Sequence, residues 1–378
     1  MIGIILYSLA LLIIGLLYRT SGKINIERIR QFVLCFVLLF GFYGFRGLSV
    51  LNDTAHYYES FYDRLHSAEL MQEPVFYFDI YERFEPGFMV VMRFIAKYVW
   101  TDPYAIILLS SLWVTIGILI FTGKFTNRIG LVVFFLWCGS IDNYYSAIRQ
   151  GLSVMIFFLS YYYLEKRKLV LYYLFALLAF SCHRAGIILL LLPLIVYRDI
   201  NKKLLLLLFV ISFSVIYALQ PILILLEQAD SDYLDPSRER ETFPIAHLIL
   251  VLVNLFTVVC SYMQAKKYHI PPPNNVYIWM LILNIIIGVI SLPLGILGRY
   301  GMYFSLFTIF YLVYVYDFMA ISPNRSERVK ARTMLTLFIL LNGSIRLLQI
   351  ALKNEWNHLL PYSFYDFFAT SHQTDFGY

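Results

Sequence analysis

The stretch FALLAFSCHRAGIILLLLP, residues Phe175 to Pro193, sets His183 and Arg184 in the middle of an otherwise apolar run. Either one long helix carries a costly polar pair, or two short helices meet at a polar turn. Leu169 to Cys182 is 14 residues, and at ~1.5 Å rise per residue such a helix covers roughly 21 Å, short of the ~30 Å hydrocarbon core of a bilayer. Basic links, EKRK (165–168) and YRDINKK (197–203), flank the stretch. One continuous helix would put them on opposite sides of a membrane, whereas Lys and Arg collect on one side. The sequence therefore predicts a hairpin whose polar tip, His183 and Arg184, is recessed below the opposite surface. Irregular polar backbone at that depth is tolerated only where it lines a wet cavity or is buried in protein.

The rest of the chain supports that reading. Of 378 residues, 60% are hydrophobic and 14% charged, and the mean hydropathy of +0.70 is beyond what a water-soluble globular surface carries. The predicted fold class is an all-α integral membrane protein, a single polytopic domain over 1–378 with about twelve transmembrane helices. Spans are placed near 2–18, 31–47, 104–122, 129–143, 147–164, 169–182, 185–197, 203–226, 244–264, 276–297, 300–318 and 332–351. The first has no basic residues before it and several after it, so it reads as a span and not a cleaved signal. Cys35, Cys138, Cys182 and Cys260 lie singly in apolar segments, without the close pairing of a disulfide framework or zinc site. No metal, cofactor or nucleic-acid partner is expected.

The basic links YRTSGKINIERIR, GKFTNR, EKRK, YRDINKK, QAKKYH and SPNRSERVKAR all fall on one side in this scheme, the cytoplasmic side by the positive-inside rule, with both termini outside. The inner side then holds nine Lys and nine Arg, the outer side two Lys and ten Arg, which together make the 30 basic residues. Topogenic charge does not distinguish Lys from Arg, but planar two-point recognition of phosphate or carboxylate does. Snorkelling at helix ends accounts for some of these arginines.

Three outer segments are expected. Residues 48–101 form the longest loop, in which FEPGFMVVMRFIAKYVW has a helix start at Pro86, with Glu85 just before it. Arg93 and Lys97 share a face of that helix, and its apolar remainder suits the membrane interface. Residues 227–243 form a second, solvated loop. The tail, 352–378, contains LLPYSFYDFF, which suits an aromatic interface belt.

Charged groups at or within spans mark functional positions by default. Five outer clusters stand out: Arg46, Asp53 and Tyr57 in FRGLSVLNDTAHYYESF; Glu85 in FEPGF; Asp142, Arg149 and Gln150 in DNYYSAIRQGL; His183 and Arg184; and Arg299 with Tyr300 in LGRYG. Each has a structural alternative. Asp53 suits an N-cap, Glu85 the positive end of its helix, His183 a backbone hydrogen bond, and Arg299 a plain turn. Their convergence on one face favours a pocket for a polyanion, held by arginines without a tightly bound metal. A lipid phosphate or pyrophosphate is the polyanion a membrane presents. Glycosyl transfer from a polyprenyl pyrophosphate fits: arginines stabilise the departing charge, and Asp53, Glu85 and His183 are the candidate bases for the acceptor hydroxyl.

FRG…NDTAHYYESF, EPGF, IRQGLSVMIFFLSYYYLEKRK and LAFSCHRAGIILLLLP, in this order, resemble the EpsG family of Wzy-like bacterial polysaccharide polymerases. The resemblance covers about Arg46 to Pro193, and LGRY beyond it. Asn52 stands where the family commonly has glycine, and Arg184 and Ala185 replace its usual residues after the histidine. The resemblance implies a multi-pass protein of the bacterial cytoplasmic membrane, acting at its periplasmic or outer face in O-antigen, exopolysaccharide or capsule synthesis. It implies transfer of a growing glycan from undecaprenyl pyrophosphate to a lipid-linked repeat unit, with a chain-length regulator and a flippase as pathway partners. Arg46, Arg149, Arg184 and Arg299 would hold the donor, with Tyr57, Gln150 and Tyr300 lining the substrate site, and Asp53, Glu85 or His183 would activate the acceptor. The rivals are a ligase using the same donor, a flippase, and a metal-using transferase with Asp53 and Glu85 as ligands. Spans almost free of charge in their inner halves disfavour the flippase.

Overall fold

The computed structural model describes residues 2–17, 24–77, 84–139, 141–201, 206–208, 210, 214, 245–292, 298–352 and 358–367. Among them the chain is helical, without a strand. The helices are α1 Ile2–Leu16, α2 Ile24–Gly44, α3 Thr54–His66, α4 Ala68–Gln72, α5 Pro86–Tyr98, α6 Ala105–Phe125, α7 Ile129–Cys138, α8 Ile141–Ser146, α9 Ile148–Glu165, α10 Leu169–Cys182, α11 Ile187–Val196, α12 Ile245–Lys267, α13 Asn275–Ile290, α14 Gly298–Gly301, α15 Ser305–Ala320 and α16 Arg325–Leu352. A 3-10 turn, Arg184–Gly186, joins α10 to α11. Ala105–Phe125, Leu248–Lys267, Gly298–Ala320 and Arg325–Leu352 are long and apolar enough to cross a membrane, and shorter apolar helices accompany them. This is a membrane protein. The span expected at 203–226 lies almost wholly outside the described residues, as does the whole loop at 227–243.

The chain divides into two units, Met1–Leu190 with Thr336–Tyr378, and Leu191–Leu335. In the first, α9 packs on α6 and α10, α2 on α6, and α1 on α7. The α1–α7 crossing rests on two glycines. A Cβ at Gly130 would lie 2.8 Å from the Gly15 nitrogen, and one at Gly15 would lie 2.8 Å from the Leu131 nitrogen. Gln31, buried from α2, ties both helices by accepting from the Gly130 N–H (3.0 Å) and donating to the Ile14 carbonyl (3.2 Å). Small residues bring α9 and α10 together, where Ser153 donates to the Ala179 carbonyl at 2.7 Å.

The hairpin expected at His183 is formed. The Tyr172 hydroxyl donates to the Leu189 carbonyl at 2.6 Å, although a continuous helix would separate these residues by roughly 25 Å. α10 has the expected bounds, Leu169–Cys182, and α7 is shorter still, with all ten residues buried.

The loop at 48–101 is largely helical. α3 and α5 pack with the start of α6 around Phe61, Phe88, Met92 and Ile107. Pro86 occupies the first turn of α5, as expected. Arg93 is turned inward, 1% exposed. Its Nε donates to Glu73 (3.1 Å), which also accepts from Arg64 (2.9 Å), and Lys97 donates to the Glu73 carbonyl. Burial pushes the Glu73 carboxyl up, but the two guanidinium hydrogen bonds outweigh it and hold it below the usual carboxylate range. The helix is thus clamped to its own loop through the face that carries Arg93 and Lys97.

The aromatic tail packs back on the first unit. Residues 358–367 pair with the end of α2 through an isolated antiparallel bridge, Arg46 with Phe364. Tyr362 stacks on Phe42 and Tyr365 on Tyr104, with centroids 4.4 and 3.9 Å apart.

In the second unit α12, α13 and α15 pack together. The Asn274 side chain caps α13 by accepting from the Tyr277 N–H (2.8 Å), and buried Asn284 donates to Thr308 (2.9 Å).

Candidate functional site

Three chain turns meet at Glu85. The first is the start of α5, where Gly87 lets the helix touch the end of α10: a Cβ there would lie 2.8 Å from the Ser181 carbonyl oxygen. The second is the α10–α11 turn. His183 takes an extended conformation, φ −159° and ψ 132°, which stops α10, and its Nδ1 accepts from the Ala185 N–H at 3.1 Å, capping the 3-10 turn. Gly186 completes the reversal, because a Cβ there would sit 2.8 Å from the Phe180 backbone. Gly186→Ala is expected to cost about 1–3 kcal/mol by overpacking, readable as a lowered Tm of the purified protein. The third is the α8–α9 turn, where a Cβ at Gly151 would lie 2.2 Å from the Tyr144 carbonyl oxygen. That close approach places Arg149 on the first turn of α9.

The Glu85 carboxylate joins the three. Its Oε2 accepts from Arg149 Nη1 at 2.5 Å and its Oε1 from the Arg184 backbone N–H at 3.2 Å. Arg149 also donates from Nε to the Tyr57 hydroxyl (3.1 Å) and lies over the Phe84 ring, 4.8 Å from its centroid. Tyr57 packs on Phe84 and Phe88. Burial raises the Glu85 carboxyl, but Arg149, backbone N–H groups and the neighbouring His183 together hold it below its ordinary range. Burial likewise raises the Tyr57 phenol, against the pull of Arg149.

Glu85, Tyr57, Arg149, His183 and Arg184 thus form one cluster. The Arg184 guanidinium is exposed and makes no hydrogen bond or ion pair with any described residue. Asp53 occupies the N-cap position of α3 without a capping bond from its side chain, and its charge is felt at Tyr57 one turn on. Gln150 is buried beside Arg149.

Arg46 stands differently from expectation. It is fully buried, and its guanidinium donates to Thr54 (2.9 Å), Ser111 (2.9 Å) and the carbonyls of Tyr43 and Tyr145. With its N–H groups committed to neutral protein acceptors, it ties α2 to α3, α6 and α8, and a ligand-binding role has no geometric support here. Arg299 and Tyr300 lie in the second unit on α14, Arg299 exposed and Tyr300 half-buried.

Sequence reasoning missed a second charged pair. Arg346 on α16 and Asp142 on α8 are 2% and 3% exposed, and Arg346 Nη2 donates to Asp142 Oδ2. Asp142 Oδ1 accepts from the Tyr43 hydroxyl at 2.6 Å. The available signal was a lone arginine inside the apolar run LFILLNGSIRLLQIAL.

No curated protein and no solved structure matches the chain. The family model of EpsG is matched by residues 29–364, a range that takes in every side chain of the Glu85 cluster, and the chain therefore belongs to the EpsG family.

Proposed function

We propose that this protein is a polysaccharide polymerase of the bacterial cytoplasmic membrane, which transfers a growing glycan from undecaprenyl pyrophosphate to a lipid-linked repeat unit at the outer face. EpsG membership suggests polymerase-like chemistry. The observation that carries the finer reading is the Glu85 latch: one carboxylate orients Arg149 and fixes the turn that presents the exposed Arg184 guanidinium. Two arginines held on rigid turns offer fork-shaped donors to a pyrophosphate and stabilise the charge that develops on it. The glycosidic carbon–oxygen bond to the pyrophosphate breaks, the acceptor hydroxyl oxygen bonds to that carbon, and the hydroxyl proton passes to a base. Arg299 and Tyr300 enter this reading through the family resemblance alone.

Among the candidate bases we favour Asp53, for reasons of hydrogen bonding at the other two. Glu85 has both oxygens engaged and is held in its ionised, weakly basic form. His183 Nδ1 uses its lone pair on the Ala185 N–H, so the ring proton is on Nε2, where the side chain offers a donor and not a base. We assign the base role to Asp53, at the start of α3, whose charge is felt at Tyr57 beside Arg149. Asp53→Asn is expected to slow polymerisation by about 10²–10⁴-fold, whereas His183→Gln, which keeps a side-chain donor, retains most of the rate in the same assay. A His183→Gln loss as deep as that of Asp53→Asn would reverse the assignment.

Deletion in the native host tests the function itself. Single repeat units in place of a glycan ladder indicate a polymerase. Long chains stranded on the carrier indicate a ligase, and units trapped on the inner leaflet a flippase.

A further inference from the structure

Arg346 is a buried cation whose hydrogen bonding is incomplete. Its guanidinium lies 4.6 Å from the Trp137 ring centroid, and among the described residues its acceptor is Asp142 and its buried Nε–H has no partner. An arginine carries five N–H donors, and leaving a buried donor unmade costs about 1–3 kcal/mol. Arg46, with four hydrogen bonds to protein oxygens, shows how this fold closes off an arginine that is purely structural.

The same guanidinium lines a cavity of about 190 Å³ whose other walls include Ile5 and Leu9 of α1, Phe134 of α7, and Gly343 and Leu347 of α16. Gly343 faces that space: a Cβ there would have Phe134 Cζ, at 3.9 Å, as its one neighbour within 4 Å among the described residues. Walls that are apolar apart from Ser8, Ser344 and the Arg346 guanidinium, which keeps unused N–H donors beyond its Asp142 ion pair, suit an amphipath, an apolar chain with an anionic head. Arg346 is six residues from the C-terminal end of α16, about 9 Å along the helix, on the side that the charge rule assigns outward. Asp142 precedes Arg149 by seven residues, so the head of such a ligand lies within roughly 25 Å of the Glu85 cluster.

We propose that the α1–α7–α16 groove is a second lipid-pyrophosphate site, in which the walls take the isoprenoid chain of the lipid-linked acceptor and Arg346 takes its phosphate oxygens. This rests on the polymerase reading, in which donor and acceptor are both lipid-linked and must be bound together. The turn at Arg149 and Arg184 then serves the donor.

The test uses the full chain in phosphatidylcholine nanodiscs with a diazirine-bearing isoprenyl pyrophosphate, scored by intact mass and by mapping of the adducts. Two adducts per chain are expected, one of them on α1, α7 or α16. Gly343→Phe should abolish that adduct and leave the one near Arg184, and Leu9→Trp, from the opposite wall, serves as the second variant should the first not fold. A single adduct in the wild type, a groove adduct that survives both substitutions, or equal competition by phosphatidylglycerol would overturn the proposal. Because the readout needs no turnover, a protein that binds two pyrophosphates yet makes no polymer would sink the polymerase reading and leave the second site standing.

Discussion

Arg149→Ala is expected to lower polymerisation of a lipid-linked repeat unit by about 10²–10³-fold, the loss typical when one preorganised donor to a developing anion is removed. The effect exceeds that of a surface arginine because Arg149 is held on three sides, by Glu85, Tyr57 and the Phe84 ring. Glu85→Gln should reproduce much of it without touching substrate, by loosening both Arg149 and the Arg184 turn. Arg149→Lys separates charge from geometry: an ammonium keeps the charge but cannot reach Glu85 and Tyr57 as a fork does, so a lysine variant with full rate would refute the latch. The latch also has a pH signature. The Glu85 carboxyl is lowered in the folded protein from an ordinary value of 4.5. Its stabilisation is therefore fully present above that value and lost as pH falls through the lower folded one. Acid should release the turn below pH 4.5, with neutral-pH stability unaffected.

The second large effect is expected at the buried pair. Asp142→Asn or Arg346→Met alone strands a charge among apolar helices and should cost about 3–5 kcal/mol, read as thermal unfolding in micelles. The double variant Asp142→Leu with Arg346→Met removes both charges and should recover most of that loss, since apolar replacement of a whole buried pair is often neutral. Recovery of stability without recovery of the groove adduct would separate the two roles of Arg346. Equal losses in the single and double variants would show that the pair does not act as a unit.

Local features were legible in the sequence. The bounds of α10, the turn at His183 and the start of α5 at Pro86 each follow from short-range signals: a polar pair that interrupts an apolar run, basic links at both ends of that run, and proline in a first helical turn. The partnerships were not legible. Glu85 and Arg149 are 64 residues apart and Asp142 and Arg346 are 204 apart, and no periodicity links residues on different helices. Arg46 illustrates the same limit from the other direction. Its position next to a predicted loop suggested a ligand, but the carbonyls of Tyr43 and Tyr145 and the hydroxyls of Thr54 and Ser111, which take up its donors, lie on four separate segments. Arg93 was placed on the correct face of the correct helix, and only the packing of Glu73 and Tyr77 turned that face inward.

The first unit takes its last pieces from beyond residue 335, after the whole of the second. Arg346 reaches back to Asp142, and Phe364 and Tyr365 reach back to Phe45 and Arg46. During synthesis, helices α1 to α10 therefore enter the membrane with Asp142 lacking its counter-ion and the backbone at Phe45 lacking its partner. The unit that holds Arg149 closes only when the ribosome has delivered residues 336–367. A nascent chain stalled before that point should remain open to protease and thiol reagents that the finished protein excludes.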